Sequence, residues 1–153
     1  MKSKVEFSKR VNIVSVKMVK EKSISYTNRK IGSPYDAHIL CKDFLENEDR
    51  EKLIVVCLDT KNQPTSINIA SIGTINSSLV HPREIFKTAI LSNSNSILVA
   101  HNHPSGNPTP SEEDINITNR LQEVGEIIGI KLIDHIIIGE DDNFISLKEN
   151  SYI

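Results

Sequence analysis

The sequence predicts one α/β domain in which a mixed β-sheet is flanked by helices. Strand-like and helix-like segments alternate along most of the 153 residues, the pattern of a layered α/β fold. Continuous apolar runs at 53–58 and 97–100 are typical of central strands buried on both faces. The hydrophobic and charged fractions, 38% and 25%, are ordinary for a globular protein. A chain of this length can build a stable core without disulfides or a second domain.

The first half of the chain is expected to hold a strand, a helix and two further strands. Apolar and polar residues alternate across 12–20, which predicts a half-exposed edge strand. A helix begins at Ser33-Pro34, because serine caps a helix and proline favours its first turn. A buried strand over 53–58 and another over 67–72 follow.

The second half predicts two helices that alternate with three strands. One helix begins at His81-Pro82, and the apolar run at 97–100 forms the next strand. A third helix extends from Ser111 to about Gly129, and strands over 131–138 and 144–147 complete the sheet. The apolar stripe that this third helix is expected to bury comprises Ile115, Leu121, Val124 and Ile128.

Charge is unevenly distributed along the chain. Residues 1–30 hold nine Lys and Arg against Glu6 and Glu21, so this arm carries about +7 and residues 31–153 about −9. A basic arm can bind phosphates. Lysines that protect an edge strand from pairing explain it as well, and the lack of interleaved aromatic residues favours this second interpretation. We expect the arm, with its edge strand, to belong to the same domain as 31–153.

The two cysteines, Cys41 and Cys57, lie in apolar contexts and form no CxxC pair, which indicates buried thiols in a reducing compartment. Lysines interrupt the apolar residues near the N-terminus, unlike a signal peptide. No run approaches the ~18 apolar residues of a membrane span. A cytoplasmic location without a membrane partner is expected.

The segment that carries most chemistry is His101-Asn102-His103-Pro104, followed by Ser111 and Asp114. If the apolar run before His101 continues as a strand, its period of two places both imidazoles on one face. Two imidazoles and a carboxylate suit a divalent metal, and three protein ligands leave a fourth tetrahedral position for water. The pattern therefore predicts a catalytic zinc rather than a structural one.

Competing explanations exist for each of these residues. Ser111 and Asp114 also have the spacing of a helix capping box, which alone would be preferred to metal ligation. Beside a correctly spaced histidine pair, ligation is the better interpretation, and Ser111 can cap while facing the site. His38, His81 and His135 are interpreted as ordinary polar residues, with His135 as the reserve ligand.

Together, His101-x-His103-Pro104 and Ser111-x-x-Asp114 resemble the JAMM (MPN+, JAB) metalloprotease motif. The sequence His-Asn-His-Pro-Ser-Gly at 101–106, with the segments 82–84 upstream and 134–139 downstream, looks like the RadC branch of that family. The resemblance implies a JAB/MPN fold related to cytidine deaminases. It also implies His101, His103 and Asp114 as zinc ligands and Ser111 beside the substrate oxyanion.

The same resemblance implies a catalytic glutamate just before a buried strand, a place that Glu51 occupies. Glu84 is the rival, but its position in the first turn of a helix is explained by the helix dipole. Members of this family cleave peptide or isopeptide bonds with zinc-activated water. A zinc-dependent hydrolase acting on a peptide or protein substrate is thus the leading expectation.

Two other functions stay open. RadC-like proteins carry a DNA-repair label and the arm is basic, but this sequence lacks the helical, helix-hairpin-helix type domain of longer members, which weakens a nucleic-acid role. A zinc-containing interaction module without catalysis is the third hypothesis. Retention of Glu51 favours an enzyme, because inactive relatives lack part of the set. Other His-x-His enzymes fit less well: a metallo-β-lactamase site needs Asp where Ser105 stands, and an amidohydrolase barrel needs roughly 250 residues.

Overall fold

A computed structural model describes residues 8–73 and 80–153, which form a five-stranded sheet with three helices. The elements in chain order are α1 (Pro34–Leu45), β1 (Lys52–Leu58), β2 (Pro64–Ile72), α2 (Pro82–Leu91), β3 (Ser96–Asn102), α3 (Glu112–Ile128), β4 (Lys131–Ile138) and β5 (Phe144–Ser146). The strand order is β2-β1-β3-β4-β5. β3 and β4 are parallel and the other neighbours are antiparallel, so the predicted mixed sheet flanked by helices is confirmed.

Hydrophobic cores lie on both faces of the sheet, because alternate residues of the central strands point in opposite directions. One core joins β1 and β3 to α2 and α3, through residues such as Val55, Val99 and Leu121. The other joins the same strands and β4 to α1, through residues such as Val56 and Ala100. β1 and β3 are therefore buried on both faces, as their apolar runs predicted.

The three helices begin where the sequence predicted, because each has a side chain that accepts from a free backbone N–H. Ser33 caps α1, His81 caps α2 through its imidazole, and Ser111 caps α3. α3 ends at Gly129, whose φ of 76° is left-handed and suits glycine. The cap at Ser111 thus determines where α3 begins.

The strand predicted over 12–20 is wrong. Residues 8–26 belong to neither a helix nor a strand, and every side chain from 8 to 25 is exposed. The apolar alternation is real, but no neighbouring strand among the described residues satisfies it. β2 also begins three residues earlier than predicted, at Pro64, because β1 pairs with it along its whole length.

The predicted buried stripe of α3 is partly wrong. Leu121 is buried and Val124 is partly buried, but Ile128 is 41% exposed. The face that packs against the sheet instead follows Asp114, Ile117, Thr118, Leu121 and Gly125. Polar residues thus stand within the buried stripe at its N-terminal end, where the helix meets the end of β3.

Both cysteines are buried and free, as predicted. Burial raises the pKa of the Cys41 thiol to about 12, so this thiol stays protonated and unreactive. In the described part of the chain, no helix is both long and apolar enough to cross a bilayer.

Candidate metal centre

The end of β3 and the first turn of α3 bring His101, His103 and Asp114 together. The Nε2 atoms of the two imidazoles are 3.0 Å apart. Asp114 places Oδ1 3.2 Å from Nε2 of His101 and Oδ2 3.1 Å from Nε2 of His103. His101 and Asp114 are buried, and His103 is partly open to solvent. The residues predicted from the spacing therefore do converge on one point.

Asp114 takes part in helix capping and faces the imidazoles at the same time. Its N–H donates to Ser111 Oγ at 3.1 Å, and its Oδ2 accepts from the Ser111 N–H at 2.8 Å. This reciprocal capping box holds the carboxylate in one orientation. Capping and metal ligation, which looked like alternatives in the sequence, are compatible because the carboxylate has more than one lone pair to offer.

A backbone carbonyl fixes the tautomer of His103. Its Nδ1 lies 2.8 Å from the carbonyl oxygen of Asn107, which can only accept, so Nδ1 carries the proton. In the neutral imidazole Nε2 then has a free lone pair. That lone pair faces Asp114 and His101.

A longer chain of hydrogen bonds fixes His101. Thr118 donates its hydroxyl proton to the Asp114 carbonyl at 2.5 Å, so its oxygen must accept from His135 Nδ1 at 2.6 Å. With Nδ1 protonated, neutral His135 accepts at Nε2 from His101 Nδ1, at 2.7 Å. His101 is therefore left with a free lone pair on Nε2. Second partners of this kind are what orient metal-ligating histidines.

His135 lies outside the candidate ligand set and supports His101 by a hydrogen bond, which its interpretation as an ordinary polar residue missed. It is completely buried. Burial, and next repulsion from His101 whenever that imidazole is protonated, place the pKa of His135 well below its usual value, so it stays neutral as the hydrogen-bond chain requires. The Asp134-His135 pair at a buried strand was the available signal. The sequence cannot show that β4 places it behind His101.

The pKa values of Asp114 and His103 reflect the close contact between the carboxylate and the imidazoles. Burial opposes ionisation of Asp114, but whenever His101 and His103 carry a proton on Nε2 they donate it to the carboxylate and hold its pKa far below its usual range. A bound metal ion would take the place of these protons. Burial likewise opposes protonation of His103, yet the Asp114 carboxylate, the Asn107 carbonyl and the charge of Glu51 together raise its pKa. A carboxylate beside two nitrogen lone pairs attracts a cation.

The donor set fits zinc. Four-coordinate zinc with bonds of 2.0–2.1 Å to nitrogen and oxygen places its ligand atoms roughly 3.3 Å apart. The two Nε2 atoms here are 3.0 Å apart, and each lies 3.1 to 3.2 Å from a different oxygen of Asp114. One ligand atom from each of the three residues thus lies within 4.8 Å of the other two, close enough to share an ion. Imidazole and carboxylate donors, with three positions supplied by protein, match catalytic rather than structural zinc sites.

Asn102, between the two histidines, fastens the segment that carries Glu51. Its Oδ1 accepts from the Lys52 N–H at 2.8 Å, and its Nδ2 donates to the Arg50 carbonyl at 2.9 Å. Glu51 is thus held on both sides, close enough for its charge to act on His103. The role of Asn102 was not predicted from the sequence, because its partners lie about fifty residues earlier.

Glu84, the rival general base, lies in the first turn of α2 with its side chain about half exposed. It accepts from Lys87 Nζ at 2.8 Å, and this bond is the main reason why its pKa is lowered. This ion pair with a neighbouring turn of the same helix gives Glu84 a structural explanation. Glu51, by contrast, lies at the strand end next to the histidines.

Two clefts meet at Pro104 beside the candidate centre. One, of about 460 Å³, is lined by His103, Asn102 and Glu140 among others. The other, of about 350 Å³, is lined by Glu51 and Gly73. Solvent can thus approach His103 and Glu51 from the surface.

The remaining histidines lie apart from the centre. His81 caps α2 by accepting from the Arg83 N–H at 3.2 Å, so its interpretation as a structural residue holds. His38 does not fit that interpretation fully. It is buried and stacked on Phe144 at 4.4 Å. Its Nε2 lies 3.6 Å from Asp142 Oδ1, too far for a hydrogen bond, so neither ring nitrogen is hydrogen-bonded within the described residues.

Comparison with known proteins agrees with this architecture. Residues 31–152 match the model of the RadC-like JAB domain. The chain is 54% identical over 124 residues to a UPF0758 protein of Clostridium botulinum, which is 81% of this chain and 54% of the relative. It is 53% identical over 123 residues to one of Desulfitobacterium hafniense, with 80% and 54% covered, and 44% over 133 residues to one of Methanosarcina barkeri, with 87% and 58% covered.

The chain spans a little over half the length of these relatives. The match extends from α1 to the C-terminal turn, so it includes the sheet, the helices and the candidate centre. The chain belongs to the RadC-like JAB family.

Proposed function

We propose that this chain is a zinc-dependent hydrolase of the JAMM type that cleaves a peptide or isopeptide bond. The observation that carries the proposal is the convergence of His101, His103 and Asp114, with both imidazoles fixed in the tautomer that offers Nε2. When bound, zinc would lower the pKa of a coordinated water and polarise the scissile carbonyl. The protein supplies the orientation and the proton transfers.

Glu51 is the proposed general base. It takes the proton of the attacking water and returns it to the leaving amine, which needs a carboxylate near the ligands but outside their set. Its place at the strand end, fixed by Asn102 and within the cleft at Pro104, supports this role. Glu84 is engaged by Lys87 on the exposed side of α2 and is the weaker candidate.

Ser111 is proposed to stabilise the oxyanion. Its Oγ accepts from the Asp114 N–H, so the hydroxyl proton stays available for donation. One such donor directed at the developing negative charge contributes substantially to acyl transfer. The same capping bond that orients Asp114 therefore also orients this hydroxyl.

The test compares Glu51→Gln with Glu84→Gln. Each is measured for zinc content and for cleavage of a quenched fluorogenic peptide library and a lysine-linked isopeptide reporter. We expect Glu51→Gln to keep zinc and lose turnover by a factor of roughly 10² or more, within the usual range for general acid–base catalysis. Glu84→Gln should retain both. The reverse result would reject Glu51 as the base.

A further inference from the structure

The N-terminal arm, residues 8–25, is extended, exposed and without a described partner. Val14 and Val16 are 75% and 71% exposed although they alternate with Ser15 and Lys17 as in a strand. In the described ranges 8–73 and 80–153, no backbone hydrogen bond connects this arm to the domain. The apolar side chains of such an alternating segment would be more stable if they were buried than they are in water.

The outer edge of β2 is a second feature without a described partner. β2 is the last strand of the sheet on its side and pairs only with β1 among the described strands. Its nine residues include no charged side chain, and Ile69 and Ile72 are 47% and 62% exposed. Natural proteins usually shorten, charge or cover such edges, since a long uncharged edge strand recruits another strand.

We propose that the arm of one copy pairs as an added strand along β2 of a second copy, and reciprocally, to form a two-fold dimer. Backbone pairing would supply the bonds that both segments lack, and the apolar side chains of the arm would pack beside Ile69 and Ile72. An isologous exchange satisfies both arms and both edges at once and closes the assembly.

Length and charge favour a second copy as the partner. The arm, 18 residues when extended, spans roughly 60 Å, about twice the length of a nine-residue strand, so it can leave its own domain and cover a neighbour. Its lysines bring charge to an uncharged edge, and the rest of each chain is acidic. The arm joins the domain at Tyr26, which packs against the core shared by the sheet and α1. Just beyond it, the Ile31 N–H donates to the Asn62 carbonyl at 2.8 Å.

The test measures the mass in solution by light scattering across a concentration series, for the wild type, Val16→Lys and Ser15→Lys. Both substitutions add the same charge to adjacent exposed residues, but alternation places them on opposite faces of the added strand. We expect a wild-type dimer, a halved mass for Val16→Lys, and a retained dimer for Ser15→Lys. Ile69→Lys, on the receiving edge, should also halve the mass.

Cross-linking distinguishes the second copy from the chain's own edge. Single variants Val16→Cys and Ile69→Cys are mixed and oxidised; both native cysteines are buried and do not compete. A mixed disulfide between the two chains supports exchange. A wild type that stays monomeric overturns the proposal, and so does a dimer that survives Val16→Lys. A monomer whose arm binds duplex DNA in a salt-sensitive way would likewise overturn it and assign the arm to nucleic acid.

Discussion

Two buried histidine environments lie on opposite faces of the same sheet. On the α3 face, His101 and His103 each donate at Nδ1 to a fixed acceptor, so both present Nε2 to one point. On the α1 face, His38 stacks on Phe144 without a described hydrogen-bond partner. Burial alone therefore does not make a histidine a candidate ligand. The difference lies in acceptors that select one tautomer and direct the remaining lone pair.

The largest effect is expected from removing the Thr118 hydroxyl, which accepts a hydrogen bond from His135 Nδ1. Thr118→Val keeps the shape of the side chain but leaves the Nδ1 proton of His135 without its oxygen. His135 can then move its proton to Nε2, which faces His101 and reverses the tautomer there. We expect zinc affinity to fall by roughly 10–100-fold.

Thr118→Ser is the matched control, since it retains the hydroxyl, and its affinity should stay near that of the wild type. Competition with a chromogenic chelator measures both variants. Equal zinc affinity for Thr118→Val and Thr118→Ser would show that the hydrogen bonds behind His101 do not control zinc binding.

A smaller effect is expected at Asn102. Its side chain contacts the candidate centre indirectly, by bonding the backbone on both sides of Glu51. Asn102→Asp keeps an acceptor for the Lys52 N–H but loses the donor to the Arg50 carbonyl. The segment that carries Glu51 should shift, and displacement of a catalytic group by about 1 Å can cost up to roughly 10² in rate. We expect reduced turnover of the peptide reporters with zinc content unchanged.

Asn107→Asp is a charge-matched control on the other side of His103. Its Oδ1 accepts from Thr109 at 3.0 and 2.8 Å, and aspartate can do the same. If both variants lose the same fraction of turnover, the added charge rather than the position of Glu51 is responsible.

The smallest expected effect concerns His38. Burial, opposed by the neighbouring Asp142 and assisted by Lys42, lowers its pKa in the folded protein. The unfolded chain then binds more protons below a pH of about 6.5, so His38 makes the fold less stable as the pH falls from there.

His38→Phe should remove this dependence while preserving the packing on Phe144. The difference in slope should stay below about 1.4 kcal/mol per pH unit, the value for one proton. Urea unfolding of wild type and variant on both sides of pH 6.5 measures it. Parallel curves would contradict this assignment.

The sequence predicted those features that depend on local spacing. Strand alternation placed His101 and His103 on one face, and the cap at Ser111 located Asp114. It did not predict the roles of Asn102 and His135, because their partners are 50 to 52 and 17 to 34 residues away in the chain. Such contacts depend on the strand order, which local patterns do not encode.

The prediction of a strand over 12–20 was wrong for a related reason. Its alternation predicts a strand wherever a partner strand exists, but the described part of one chain provides none. The error at Ile128 is different: helical periodicity is reliable, but the buried stripe of α3 includes Asp114 and Thr118. A buried face of α3 chosen from apolar residues alone therefore omitted these polar positions and included the exposed Ile128.

The proposed function depends on one open-sided zinc site formed by His101, His103 and Asp114. Its most direct test is the zinc content of the purified protein, after equilibration with zinc and removal of excess, for the wild type and His103→Ala. We expect one zinc ion per wild-type chain and almost none in the variant. Equally low zinc in both proteins would contradict the account.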